Sequence, residues 1–249
     1  MNDAQAQIRQ NIDAIHARIE AVCRACGREP SSVRLLPVTK TVDEARLRAA
    51  YAIGVHEMGE NKVQEVSGKA KAMADLADLR WVLIGHLQTN KAKQAARFAS
   101  EFQALDNLRA AAALDKALQA EGRALDVLVQ VNTSDEDSKF GLAPADALGF
   151  IKELPAFSSL RVRGLMTLAL FSHDESLVRP CFVKLRELRD RLRQESPAGI
   201  GMDELSMGMS GDFELAIAEG STTVRVGTAI FGHRSTPDSA YWPGFAKGT

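Results

Sequence analysis

The segment that decides the fold is S-M-G-M-S-G-D-F-E-L-A-I-A-E-G-S-T-T-V-R-V-G-T-A-I-F-G, residues 206–232. A short helical pattern and a short buried strand, residues 224–226, alternate here with two glycine-rich turns. Ser210 opens the helix, and the strand runs into Gly227 and Thr228. Glycine-rich turns at strand ends present backbone N–H groups to a phosphate. The segment therefore predicts two adjacent parallel strands whose ends share one anion.

The same alternation of strand and helix continues back toward the N-terminus. Short apolar runs predict eight strands, near residues 33–38, 55–58, 81–84, 102–105, 126–131, 161–166, 203–206 and 223–226. Helical patterns cover residues 3–26, 43–53, 61–74, 88–98, 107–121, 144–153, 174–194 and 211–219. Parallel strands with helical crossovers are therefore predicted throughout.

Eight such units match a closed (β/α)8 TIM barrel, and an open doubly wound sheet is the alternative. The barrel is favoured because no G-x-G-x-x-G follows the first strand and the polar residues are spread over many strand ends. We expect residues 1–249 to form a single domain. Residues 1–30 are expected to form a helical extension packed on the barrel, and residues 234–249 an irregular end.

Composition excludes several classes of protein. The 249 residues include 31 basic and 32 acidic side chains, a net charge of −1, so no overall field exists to hold nucleic acid or an anionic membrane. The opening residues lack the uninterrupted apolar core of a signal peptide, and no later run reaches the length of a membrane span. The three cysteines, Cys23, Cys26 and Cys181, are an odd number, and Cys23 and Cys26 lie in a helical pattern without a second pair of zinc ligands. We expect a cytoplasmic protein with no metal site.

Lys40 is the first candidate for chemistry. It follows the apolar run L-L-P-V-T, residues 35–39, at the C-terminal rim of the first strand, where barrel enzymes assemble their sites. Apolar surroundings lower the pKa of a lysine, and the free amine forms a Schiff base with an aldehyde. An ordinary lysine in water at a strand end is the alternative.

The candidate phosphate site uses two turns, M-G-M-S-G at residues 207–211 and R-V-G-T at residues 225–228. They follow the seventh and eighth strands, the common phosphate position in this fold. Glycine allows the backbone to approach an anion, and the hydroxyls of Ser210 and Thr228 add donors. Arg225 lies inside the eighth strand and needs an acceptor, either an acidic side chain of the barrel or an atom of a ligand.

Other polar residues are predicted at the same rim. Asn61 follows the second strand at or near a helix start, a position that Asn often caps. His86 and Asn90 follow the third strand, where they would either line the barrel mouth or belong to the start of a helix.

Seven motifs together resemble one known family. They are P-V-T-K (37–40), G-E-N-K-V-Q-E (59–65), I-G-H-L-Q-T-N-K (84–91), V-N-T-S-D-E-D-S-K-F-G (131–141), G-L-M-T (164–167), L-S-M-G-M-S-G-D-F (205–213) and V-R-V-G-T-A-I-F-G (224–232). Over nearly the whole chain the sequence is similar to the pyridoxal phosphate homeostasis proteins, alanine-racemase-like barrels also called the YggS or PROSC family. It departs from their usual pattern at Val82, commonly a histidine, and at Pro37 and Thr39, commonly a small residue and a serine.

The resemblance implies a fold-type III barrel that binds pyridoxal 5'-phosphate (PLP). Lys40 would hold PLP as a Schiff base, and Ser210, Gly227 and Thr228 would match the phosphate-binding positions. Arg225 would face the pyridine nitrogen, where a permanent cation disfavours ring protonation and weakens carbanion chemistry. Asn61 and Met209 fall in motifs that the family brings near the cofactor.

The function that the resemblance implies is PLP homeostasis: a monomer that buffers PLP or delivers it to PLP-dependent apoenzymes, with little or no catalysis. One alternative is an amino-acid racemase, which would need a second base from a separate β-domain. Tyr51 and Tyr241 are poor candidates for that base, and the chain ends before such a domain. From the residues alone, a Schiff-base aldolase acting on a phosphorylated sugar is a further alternative.

Overall fold

Eight parallel strands form a barrel in the computed structural model, which describes residues 2–134, 136 and 140–232. The strands are β1 Arg34–Pro37, β2 Glu57–Glu60, β3 Arg80–Leu83, β4 Ala99–Leu105, β5 Leu125–Gln130, β6 Leu160–Met166, β7 Glu204–Ser206 and β8 Thr223–Val226. Their hydrogen-bonded order is β1-β8-β7-β6-β5-β4-β3-β2.

The ring is closed between β1 and β2. Val38, directly after β1, forms a parallel bridge to Gly59 in β2. The backbone N–H of Thr39 also donates to the Gly59 carbonyl at 2.9 Å. The predicted (β/α)8 barrel is thus confirmed, and the open doubly wound sheet is wrong because its outermost strands would not meet.

Helices surround the strands. They are α1 Asp3–Ala25, α2 Glu44–Tyr51, α3 Val63–Ala72, α4 Ala92–Phe98, α5 Leu108–Ala120, α6 Ala147–Glu153, α7 Glu175–Glu195, α8 Phe213–Ala218 and α9 Thr228–Phe231. Short 3₁₀ turns cover Pro30–Ser32, Thr89–Lys91 and Leu154–Ala156. Helix α9, directly after β8, is the one α-helix of the described residues that the sequence patterns did not predict.

Two strands differ from their predicted bounds by two residues or more, for a shared reason. Strand β2 extends to Gly59 and Glu60, and β4 begins at Ala99 rather than near residue 102. The side chains of Glu60 and Glu101 are buried although they are polar. A search for apolar runs therefore loses these positions, because the barrel interior accepts polar side chains that are hydrogen-bonded.

Helix α1 packs on one side of the barrel, against α2, α8 and α9. A capping box at its start, in which Asn2 and Gln5 exchange hydrogen bonds, satisfies two N-terminal N–H groups. Its buried face consists of Ile8, Ile15, Ile19 and Cys23. The helix thus supports the two helices that follow β7 and β8.

A small apolar cluster of Leu36, Val38, Val82 and Ile84 lies apart from the two larger apolar clusters that contain the helix residues. These four residues belong to β1, β3 and the residue directly after each strand.

The C-terminal residues, the cysteines and the lengths of the helices bear on three further expectations. The predicted irregular end at residues 234–249, with Tyr241, lies outside the described residues. Cys23, Cys26 and Cys181 form no disulfide. Among the described residues, no helix is long and apolar enough to cross a membrane.

Candidate functional site

A cavity of about 620 Å³ opens at the carboxyl ends of the strands. Around it the structure places all seven of the predicted site residues, Lys40, Asn61, Met209, Ser210, Arg225, Gly227 and Thr228. Its remaining lining is Val38, Ile84, Leu168, Leu170, Phe171, Ser172, His173, Gly211, Asp212 and Ala229. Residues from opposite ends of the chain therefore meet at one site, as expected of a barrel.

Lys40 is held at the junction between β1 and β2. Its side chain is buried, at 5% exposure, so it is not the water-exposed lysine of the alternative interpretation. The preceding residue is anchored twice: the Thr39 hydroxyl donates to Glu60 Oε1 at 2.7 Å, and Lys69 Nζ donates to the Thr39 carbonyl at 2.8 Å. The backbone that carries Lys40 is thus fixed by buried hydrogen bonds.

Glu60 lies beneath this junction and is fully buried. Lys69 Nζ donates to Glu60 Oε1 at 2.6 Å and to Glu65 Oε1 at 2.8 Å, so two carboxylates share one ammonium. Burial raises the pKa of Glu60 to about 7, and the nearby Lys69 charge opposes the rise. Glu60 Oε2 has no hydrogen-bond partner among the described residues.

The turns after β7 and β8 meet, as the sequence predicted. The backbone N–H of Gly227 donates to Ser210 Oγ at 3.3 Å. Gly208 has φ +93°, and a Cβ there would lie 2.6 Å from the Cβ of Ala216, so the first turn requires glycine. This contact between the turns brings two hydroxyl residues, Ser210 and Thr228, to the cavity wall.

The helix after the first turn begins later than predicted. Helix α8 starts at Phe213 and Asp212 is its N-cap residue, so Ser210 lies in the turn instead of opening the helix. The physical reason is a local hydrogen bond: Asp212 Oδ1 accepts from the Met209 backbone N–H at 2.5 Å and closes the turn over residues 209–212. Burial raises the pKa of Asp212, and this hydrogen bond and the Arg225 charge oppose that effect.

Arg225 is buried in β8 at 4% exposure. Its Nη1 donates to Ser206 Oγ and its Nη2 to the Thr167 carbonyl, both at 2.7 Å. Burial lowers the pKa of Arg225 to about 10, and the Asp212 charge opposes the decrease. The sequence analysis allowed an acidic side chain or a ligand as acceptor, whereas the acceptors among the described residues are two neutral protein oxygens. The guanidinium still carries its charge at neutral pH and lines the cavity.

Asn61 reaches the cavity from the loop between β2 and α3. It does not cap a helix, because α3 begins at Val63 and its N-cap residue is Lys62. The loop passes so close to β3 that a Cβ at Gly85 would lie 2.2 Å from the Asn61 carbonyl oxygen. Glycine at position 85 therefore allows the loop that carries Asn61 to approach the barrel.

Other predicted rim residues lie away from the cavity. The His86 ring stacks on Phe140 at 4.3 Å between centroids, and its Nδ1 lies 3.5 Å from Asp106 Oδ2. Asn90 is exposed in the 3₁₀ turn Thr89–Lys91. Tyr51, considered as a second base, ends α2, where its hydroxyl donates to Asp78. None of these three residues, His86, Asn90 and Tyr51, belongs to the cavity lining.

The loop after β6 lines the cavity but was not predicted as part of the site. Residues 168 and 170–173 line the cavity with two leucines, a phenylalanine, a serine and a histidine. The sequence did contain one indication of their role, which is that they directly follow G-L-M-T at the end of a predicted strand. Without a glycine or a charged residue, that position did not mark them as site residues.

The cavity combines a buried amine, a guanidinium, three hydroxyls and glycine-rich backbone, with one carboxylate, Asp212. Such a set of donors is suited to a small anionic molecule. The amine adds the capacity for covalent attachment to a carbonyl group.

Comparisons with known proteins agree with this geometry. The family model described as alanine racemase, N-terminal domain, matches residues 10–235. The pyridoxal phosphate homeostasis protein of Pseudomonas aeruginosa is 40% identical over 227 residues, which are 91% of this chain and 96% of that protein.

Two solved structures are similar over most of the chain. A protein from Bifidobacterium adolescentis has a TM-score of 0.86 and 39% identity, covering 93% of this chain and 97% of that one. PipY of Synechococcus elongatus, solved with PLP bound, has a TM-score of 0.76 and 35% identity, covering 86% of this chain and all of PipY, 100%. On the strength of these matches, the chain belongs to the pyridoxal phosphate homeostasis protein family, within the class of the alanine racemase N-terminal domain.

Proposed function

We propose that this protein binds PLP in the cavity, holds it covalently through Lys40, and buffers it or delivers it to other proteins. The observation that carries the proposal is the meeting of buried Lys40, Arg225 and the Ser210–Gly227 contact around one cavity. The names of the relatives and the PLP-bound PipY structure support the same ligand.

The residues present fit PLP chemically. PLP carries an aldehyde that condenses reversibly with a primary amine and releases water, and Lys40 offers that amine. Its phosphate requires hydrogen-bond donors, which the Ser210 and Thr228 hydroxyls and the backbone around Gly227 supply. The volume of about 620 Å³ is in the range of small-molecule sites.

The roles of the remaining residues follow from their charge and position. Arg225 keeps a positive charge near the ligand ring, which opposes protonation of a ring nitrogen. Asn61 and Met209 contribute polar and apolar contact at the wall. Val38 and Ile84 exclude water from the side of Lys40.

Little or no catalysis belongs to the proposal. An unprotonated pyridine ring is a weak electron sink, so proton removal from a bound amino acid is slow. Measurement of α-proton exchange into deuterated water tests this point. Fast exchange at ordinary amino-acid concentrations would favour a racemase over a carrier.

The ligand is tested by absorbance, borohydride reduction and peptide mass mapping. We expect a visible PLP band and one reduced pyridoxyl group, on Lys40. The variant Lys40→Ala should lose the reducible adduct but retain weak, noncovalent binding through the phosphate contacts. The matched control is Lys93→Ala, an exposed lysine in α4. A wild-type protein that takes up no added PLP would refute the proposal.

We further infer the domain organisation, oligomeric state and location in which the protein performs this function. The whole chain, residues 1–249, acts as one domain, which is supported by the span of the family model over residues 10–235. It acts as a monomer in the cytoplasm and transfers PLP to PLP-dependent apoenzymes. Light scattering tests the monomer, and activation of a PLP-free apoenzyme by the loaded protein, compared with an equal amount of free PLP, tests the transfer.

A further inference from the structure

A chain of buried polar side chains runs through the barrel interior from Arg225. Ser206 Oγ, which accepts from Arg225 Nη1, donates to Gln103 Oε1 at 2.6 Å. Gln103 Nε2 donates to Glu101 Oε1 at 2.5 Å. Glu101 in turn accepts two hydrogen bonds from Arg34, at 2.8 and 2.9 Å. The chain thus joins β8, β7, β4 and β1.

The direction of donation is fixed at every hydrogen bond in this series of side chains. An ionised carboxylate only accepts, so Glu101 requires the amide nitrogen of Gln103. The amide oxygen of Gln103 then faces Ser206 and takes its one hydroxyl proton. The Ser206 oxygen is left as an acceptor, which is what the Arg225 N–H requires.

These groups are buried, so water cannot replace a hydrogen bond that one of them loses. Gln103 and Ser206 have no solvent exposure, and Glu101 has 5%. A buried polar group that loses its partner is not rescued by water, so each bond constrains the next. Arg225 itself has no carboxylate acceptor among the described residues, only Ser206 Oγ and the Thr167 carbonyl.

The second acceptor of Arg225, the Thr167 carbonyl, is also held in place by hydrogen bonds. The Thr167 hydroxyl donates to the Val131 carbonyl at 2.7 Å and pairs with the Thr133 hydroxyl at 2.9 Å. These bonds immobilise the backbone whose carbonyl accepts from Arg225 Nη2. Two independently anchored acceptors therefore define the plane of the guanidinium.

We propose that Gln103 and Ser206 are positioning residues, which transmit the polarity of the Glu101 carboxylate to Arg225 and hold its guanidinium in one orientation toward the cavity. The inference rests on the proposed function for its consequence, because that orientation opposes protonation of the ring nitrogen of bound PLP. Neither residue lines the cavity, so both act through Arg225.

The first test requires no ligand. In protein labelled with ¹⁵N-arginine, the Nη–H signals of Arg225 are assigned by their absence in Arg225→Lys. We expect slow exchange of these protons with water in the wild type, faster exchange in Ser206→Ala, and an intermediate rate in Gln103→Leu. Unchanged Arg225 signals in Ser206→Ala would overturn the proposal, whether or not the protein binds PLP.

The second test reads the ligand. With PLP labelled with ¹⁵N at the ring nitrogen, we expect the ring signal to move toward the protonated position in Ser206→Ala and, by a smaller shift, in Gln103→Leu. A purely structural role would lower the unfolding temperature without moving this signal. Ring signals identical to the wild type in both variants would refute the positioning role.

Gln130→Leu is the matched control. Gln130 is also a buried glutamine of the barrel, at 3% exposure, but its side chain donates to the Phe140 carbonyl and, among the described residues, forms no hydrogen bond to Arg225 or to the acceptors of Arg225. We expect wild-type arginine and ring signals for it, and a shift as large as that of Gln103→Leu would contradict the proposal. Ser206→Ala, which removes one oxygen atom, carries the test if Gln103→Leu does not fold. Failure of wild-type PLP binding would refute the proposed function alone, because the first test still applies.

Discussion

Glu60 makes the stability of the protein depend on pH. Burial raises its pKa from 4.5 to about 7, so between these values the folded state holds a proton that the unfolded chain has released. The stability from Glu60 is therefore fully present below about pH 4.5 and is lost as pH rises through about 7. We expect the free energy of unfolding of the wild type, relative to Glu60→Gln, to fall across this range in urea titrations. A difference that does not change with pH would show that Glu60 is ionised throughout.

Gly208 is the residue on which the first turn of the cavity depends. Its φ of +93° is strained for any other residue, and a Cβ would press on Ala216 at 2.6 Å. We expect Gly208→Ala to lower the free energy of unfolding by roughly 2–4 kcal/mol. In Gly211→Ala, where a Cβ meets nothing within 4 Å, we expect a change of about 0.5 kcal/mol or less. Equal effects of the two substitutions in denaturant titrations would contradict this explanation.

Single residues could be predicted from the sequence where they directly follow a strand in a short motif. Lys40, Ser210 and Thr228 are such cases, and all three line the cavity. The acceptors of Arg225 could not be predicted, because Ser206 and Thr167 reach it only through the closure of the barrel. Spacing along the chain carries no information about pairs brought together in this way.

At the scale of elements, apolar runs predicted the presence of each strand correctly but predicted the residues at which the strands begin and end less accurately. Strand β8 has its predicted bounds because all four of its positions are buried. Strand β4 extends three residues before its predicted start, because Glu101 points a polar group into the interior and pairs with Arg34 across the barrel. Partner residues far apart in sequence decide such ends, so local hydropathy fails there.

Helix α1 is the element that supports the phosphate side of the cavity. Ile15, at 2% exposure, belongs to the apolar cluster that contains Phe213 of α8 and Ile230 of α9. We expect Ile15→Ala to cost about 2–4 kcal/mol and to speed amide hydrogen exchange in α8 and α9 more than in β4 and β5. Gln10→Ala, on the exposed face of α1, is the control and should change neither quantity. Uniform acceleration in all elements would argue against a local support role.

At the scale of the molecule, the Arg34–Glu101 ion pair ties opposite walls of the barrel together. Strands β1 and β4 are not neighbours in the sheet order, yet these side chains meet at 2.8 Å. We expect Glu101→Gln to lower the free energy of unfolding by about 2–4 kcal/mol, because Arg34 and Gln103 both lose a charged acceptor. Glu44→Gln, in the exposed pair with Arg48, should cost less than about 1 kcal/mol. Equal losses in denaturant titrations would mean that the cross-barrel pair adds no more than a surface pair.

The bridge between Val38 and Gly59 closes the barrel next to the cavity. β1 and β2 stand at the two ends of the sheet order, and the contacts across their junction include this bridge, the Thr39–Gly59 backbone hydrogen bond and the hydrogen bond from the Thr39 hydroxyl to Glu60. Lys40 follows β1 and Asn61 follows β2, and both residues line the cavity. A ligand that contacts both residues would hold the two strand ends together. We therefore expect hydrogen–deuterium exchange of the Thr39 amide to slow when a ligand fills the cavity.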